Sequence, residues 1–204
     1  MTGLVIARRE TGATAATLGV AVVAWVAALR AMDGMDMGYA TELGSPASFA
    51  TAWIPMMAAM MLPGAVPVAV RHARTEGHVA RFVTSYMAVW AGVGGAVYLV
   101  YAPHSALTAG AVTAAAGLYE LTPLKRRCRE RCRQDTRSGL SLGVHCIGAS
   151  LGLMAMFVAL GVMNVAWMAV VGVVVLAQKL LPPRASIDVP LALAIVVLGL
   201  IVAV

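Results

Sequence analysis

The side chains best placed to do chemistry are sulfurs. Thirteen methionines stand among 204 residues, and seven of them crowd into two short stretches. One is Met32-Asp33-Gly34-Met35-Asp36-Met37; the other is Trp53-Ile54-Pro55-Met56-Met57-Ala58-Ala59-Met60-Met61-Leu62-Pro63. On a helix Met57 is i,i+3 to Met60 and i,i+4 to Met61, so three thioethers share a face, with Met56 beside them. Thioether sulfur suits Cu(I), whereas carboxylate and imidazole serve harder ions. The bland alternative is packing, because methionine is an adaptable filler of apolar cores and needs no ligand to justify it. Packing explains the helical cluster more readily than it explains the 32–37 run, which falls in a polar loop.

A second group of candidates combines imidazole, thiol and carboxylate. His145 and Cys146 stand side by side about six residues into an apolar run, and Glu120 and Gln178 fall at similar depths in two others. Ionisable groups in such runs are costly and mark functional positions by default. Neighbouring helical residues point about 100° apart, however, so His145 and Cys146 need not face one ion. Glu120 also has a purely structural use, an ion pair with Lys179.

The stretch Lys125-Arg126-Arg127-Cys128-Arg129-Glu130-Arg131-Cys132-Arg133 sets Cys128 and Cys132 at i,i+4 among seven basic residues, counting Arg137. If helical, both sulfurs share a face, and the positive charge favours the thiolate that binds metals. The alternative is a basic anchor touching anionic lipid head groups, with incidental cysteines. Three cysteines, an odd number, do not make a disulfide framework and read as free thiols or metal ligands. No nucleophile elbow, His-Glu-x-x-His or phosphate-binding glycine loop is present. An enzyme built on this chain would have to use Glu120 and His145.

Composition dictates what positions these groups. The chain is 61% hydrophobic and 12% charged, with a mean hydropathy of +0.86, where soluble domains run at about 25% charged. It reads as a single all-α integral membrane domain over residues 1–204, a polytopic helical bundle. Apolar runs at 12–31, 48–70, 82–101, 106–121, 139–163, 165–181 and 189–204 predict about seven transmembrane helices. A count of six, with the last run on the membrane surface, leaves the loop assignment unchanged. The net charge of +6 does not point to nucleic acid, because the basic residues fall between apolar runs and set orientation instead. With the N-terminus cytoplasmic, the inner segments hold Arg8 and Arg9, then Arg71, Arg74 and Arg81, then the 125–137 cluster, then Lys179 and Arg184. Only Arg30 falls outside.

Pro55, Pro63 and Pro67 all lie in the second run, each removing a backbone donor, so that helix is expected to be broken and central, packed on the fourth, fifth and sixth membrane helices. Gly148-Ala149-Ser150-Leu151-Gly152 has the small-xxx-small spacing of close helix packing.

Three blocks carry a family resemblance: residues 53–63 quoted above; Ala116-Gly117-Leu118-Tyr119-Glu120-Leu121-Thr122-Pro123-Leu124-Lys125 running on to Cys128 and Cys132; and His145-Cys146-Ile147-Gly148 with Gly161-Val162-Met163-Asn164-Val165-Ala166-Trp167-Met168 and Lys179-Leu180-Leu181-Pro182 after it. In order and spacing the chain resembles a bacterial family of polytopic proteins described as predicted metal-binding integral membrane proteins. That resemblance implies a multi-pass protein of the bacterial inner membrane. The chain departs from the family where Gly148-Ala149-Ser150-Leu151 replaces a frequent Gly-Cys-Cys-Trp, and where Gln178 replaces a frequent glutamate. A metal site built on those thiols would be impaired, which shifts weight toward the methionines or toward no metal at all.

The expected function is membrane-embedded binding or transfer of a soft metal, copper as Cu(I), captured at Met32, Met35 and Met37, passed along Met57, Met60 and Met61 to His145 and Cys146, and on to Cys128 and Cys132. The alternatives are a membrane enzyme or enzyme subunit acting on a lipid-soluble substrate, and a structural subunit of a membrane complex. The lipid bilayer is the expected partner, with other membrane subunits or a second copy of the chain beside it.

Overall fold

Hydrophobic runs that cannot satisfy their backbone in lipid except as helices fold here as helices. The computed structural model describes residues 2–34, 38, 42–75, 78–134, 137–181 and 185–204. Among the described residues the elements are α1 (Thr2–Ala31), α2 (Pro46–Thr75), α3 (Val79–Val100), α4 (Ala106–Glu120), α5 (Pro123–Gln134), α6 (Gly139–Gly161), α7 (Val165–Leu180) and α8 (Ala185–Ala203), with no strand. Seven are the apolar runs. The eighth, α5, is the basic segment, which takes Pro123 at its first position, where a missing N–H costs nothing. Among the described residues four helices are long and apolar enough to cross a membrane: 10–31 of α1, α2, α3 and α6; α7 and residues 188–203 of α8 are apolar but shorter.

The helices of the seven apolar runs alternate in direction, while α5 continues in the direction of α4 and lies antiparallel to α6. At one end of the bundle Glu10 of α1 pairs with Arg74 of α2 at 2.6 Å, the rings of His72 and Phe82 lie 4.6 Å apart, and Arg129 of α5 reaches Asp188 of α8. At the other end the Tyr98 hydroxyl donates to the Gly44 carbonyl and the His104 ring meets the Ala159 carbonyl. Polar side chains cap the starts of α4, α6 and α7: Ser105, Ser138 and Asn164 accept from the backbone N–H three residues on.

The last run does not lie apart on a surface. α8 packs antiparallel along α4, and the approach is close because Gly110 and Gly117 face it and Gly199 faces back. A Cβ on Gly199 would stand 2.5 Å from the Ala114 nitrogen. Gly199→Leu is therefore expected to force these two helices apart at a cost of about 1–3 kcal/mol, measured as a lower unfolding temperature in detergent, with Gly95→Ala, where a Cβ meets nothing, as a neutral control.

Two expectations about α2 are corrected. The helix is continuous through Pro55, Pro63 and Pro67, since packed neighbours let a helix tolerate the backbone groups that proline frees. It packs chiefly on α1, α3 and α7; of the three predicted neighbours only α7 is a main one, while α4 and α6 pack on each other. The glycines of the 148–152 stretch serve packing: Gly152 meets α4 at the Ala116 carbonyl, and Gly148 lies under Cys128 of α5.

Candidate metal centre

Enclosure by three helices leaves α2 little free surface, and its four clustered methionines are all interior: Met56, Met57 and Met61 fully buried, Met60 2% exposed. Two of them face α7. The Met60 side chain lies over Gly172, beside Trp25 of α1, and Met61 Sδ is 3.6 Å from Lys179 Nζ. Met168 of α7 and Met32 at the end of α1 are also fully buried. Met32 therefore belongs to the same core and is not part of a solvated loop as expected. Met35 and Met37, the other two members of the expected capture site, lie outside the described residues.

Lys179 does not pair with Glu120. Its stem crosses α2 where Gly64 leaves room for it, and its ammonium donates to the Tyr86 hydroxyl at 3.0 Å and to the Met61 carbonyl at 3.4 Å. A cation arriving at the Met61 sulfur meets this ammonium and must displace it, since like charges at this spacing repel.

Glu120 is paired one turn further on instead. Its buried carboxylate accepts from Lys125 Nζ, and from Gln178 Nε2 at 2.7 Å. Lys125 also donates to Gln178 Oε1 at 3.0 Å. Burial lowers the pKa of the Lys125 ammonium from its ordinary value, and Glu120 pulls the other way. One turn along α5, Arg129 donates to the Gln178 carbonyl at 2.6 Å, to Asp188 Oδ1 at 2.7 Å and to the Leu181 carbonyl at 3.2 Å. Two carboxylates and two cations, nearly free of solvent, thus clamp α4, α5, α7 and α8 together. Sequence reasoning matched Glu120 with Gln178 but missed Lys125, Arg129 and Asp188. The available signal was the 125, 129, 132 spacing, which places those residues on one face of a helix and is the face α5 buries.

The cysteines are corrected as well. Cys132 and Cys146, expected as free thiols or separate metal ligands, form a disulfide that joins α5 to α6 across 14 residues, with the Cα atoms 5.5 Å apart. The odd cysteine count misled because two of the three pair and Cys128 is left as the free thiol. Cys146 is thereby engaged while His145, a third of a turn away, is half-buried. Cys132 also lines a cavity of about 90 Å³ shared with Gly64, Arg71, Arg133 and Lys179. Lys179 thus stands between the α2 thioethers on one side and the cysteine pair on the other. Among the described residues no three His, Cys, Asp or Glu side chains gather where they could hold a metal ion.

A family model described as a copper chaperone, PpoB2, matches residues 50–202, from the first turns of α2 nearly to the end of α8. No curated protein and no solved structure matches the chain.

Proposed function

From the premise that the chain belongs to the PpoB2 copper chaperone family, we propose that it carries Cu(I) as cargo on the buried thioethers of α2, inside a membrane, with Met57, Met60 and Met61 as the principal donors. The observation that carries this reading is the burial of four methionines within six residues of one helix. With no cluster of three harder donors among the described residues, sulfur is the donor chemistry on offer, and it is the chemistry a soft monovalent ion prefers. The residues fit the cargo in polarity as well. Thioethers are neutral, so Cu(I) would keep its single charge, and Lys179 would have to swing from Met61 before that sulfur could bind. We read the ammonium as holding the empty site and leaving when the ion enters. Cys132 and Cys146 could add thiolates only once their bond is reduced; the roles of His145, Cys128, Met35 and Met37 in capture or release belong to the same proposal.

Membrane insertion is part of the reading. Val22, Val23, Leu99, Leu107, Val173 and Ile201 are each more than 60% exposed on outer faces of the bundle, an apolar periphery that lipid would cover. The basic ends of the helices then face the cytoplasm of a bacterial inner membrane. The free thiol Cys128 tests this: an alkylating reagent that cannot cross membranes should spare it in intact cells and label it after permeabilisation. Labelling from outside would reverse the topology.

The function itself is tested by copper stoichiometry. The full chain, purified in detergent under reducing conditions and offered Cu(I) against a competing chelator, is expected to retain about one equivalent of copper and to reject zinc. Retention of zinc, or of neither metal, would overturn the proposal.

A further inference from the structure

The cavity beside Cys132 joins Lys179 and Cys132 to two arginines that the copper reading does not use. Its wall carries three cationic side chains, Arg71 of α2, Arg133 of α5 and Lys179 of α7, and, among the described residues, no carboxylate; Gly64, Pro67, Val68 and Leu180 complete it. Each cation donates to a neutral oxygen: Arg71 to the Arg133 carbonyl, Arg133 to the Leu181 carbonyl at 2.7 Å, and Lys179 to the Tyr86 hydroxyl. Among the described residues no carboxylate pairs with Arg71, Arg133 or Lys179. In the same wall stands Cys132, half of the disulfide with Cys146. Arg71 is exposed and Arg133 half-exposed, so the cavity has an open, charged rim and a sulfur at its inner side.

We propose that this cavity is the docking place of a small anionic thiol that reduces Cys132–Cys146. A simple anion would be drawn by the same charges, but a cysteine in the wall gives an anionic thiol a reaction that phosphate or a carboxylate lacks. The thiolate attacks Cys132 Sγ, forming a mixed disulfide, and Cys146 leaves as a thiolate that takes up a proton. A second molecule of the small thiol attacks its own sulfur in that mixed disulfide and releases Cys132. Two small thiols are oxidised to one disulfide, and the protein gains two thiols. Arg71, Arg133 and Lys179 concentrate the anion at the cavity mouth and hold it against the sulfur. The α5–α6 tether is then cut by the reductant, whether or not copper is ever bound.

The test is the rate at which the oxidised full chain in detergent goes from one alkylatable cysteine to three, read by mass shift. Glutathione, whose carboxylates make it anionic, is compared with cysteamine, which is cationic, each rate divided by that thiolate's rate against a simple aliphatic disulfide. Glutathione is expected to be favoured by about tenfold or more, with the preference lost at 1 M salt and in Arg71→Gln/Arg133→Gln. Arg126→Gln, a residue that does not line the cavity, should leave it intact. Equal normalised rates for the two thiols, or a preference that survives high salt, would overturn the proposal. So would a chain that keeps three alkylatable cysteines under mild oxidant. The salt series needs only the parent protein, so the result stands even if the double variant does not fold.

Discussion

Replacing Met57, Met60 and Met61 together with leucine is expected to abolish copper retention while leaving the bundle folded. The side chains sit in a well-packed interior at 0–2% exposure, and leucine is close to methionine in volume, so the packing cost should stay below about 1.5 kcal/mol per site. What is lost is the sulfur lone pair, which leucine cannot replace. Copper equivalents and unfolding temperature measured on the same preparation separate the two effects. A folded triple variant that still binds about one Cu(I) would remove the methionines from the mechanism. Lys179→Gln is the companion variant: with the ammonium gone from beside Met61 Sδ, Cu(I) affinity should rise, because the incoming charge no longer meets a like charge.

Cutting Arg129 to alanine should be the most destabilising single change in the basic segment, at about 3–5 kcal/mol. Arg129 and Asp188 are nearly solvent-free, with side chains 4% and 5% exposed, so removing the guanidinium leaves a buried carboxylate without its cation. It also removes the hydrogen bonds to the Gln178 and Leu181 carbonyls, which hold the end of α7. The expected readout is a large fall in unfolding temperature and easier proteolysis near the α7–α8 connection. The double variant Arg129→Leu/Asp188→Leu should recover much of the loss, since a buried ion pair is often no better than a well-packed apolar pair. If Arg129→Ala costs no more than a surface change such as Arg126→Ala, the clamp contributes nothing to holding α5 and α8 together.

The apolar runs were legible because a long apolar helix is a local object: about 20 apolar residues, bounded by charge, suffice to define it. The thioether stripe was legible for the same reason, since i,i+3 and i,i+4 spacing on one helix needs no knowledge of its neighbours. The near level of Glu120 and Gln178 followed from counting residues along two helices that run in the same direction, and they do hydrogen-bond.

Composition hid the inward face of α5, a segment that reads as a helical thiol pair or a lipid anchor, although Lys125, Arg129 and Cys132 together turn inward. Which partner a buried group takes depends on how each helix is rotated and which helices adjoin. Glu120 met Lys125, five residues on, where Lys179 was expected, because α7 turns Lys179 toward Gly64 and Tyr86. Cys132 met Cys146 because α5 and α6 fold back on each other with their Cα atoms 5.5 Å apart. Spacing along one helix is carried by the chain itself, whereas the contact between two helices is chosen by the packing of all the others, and only the tertiary structure decided it.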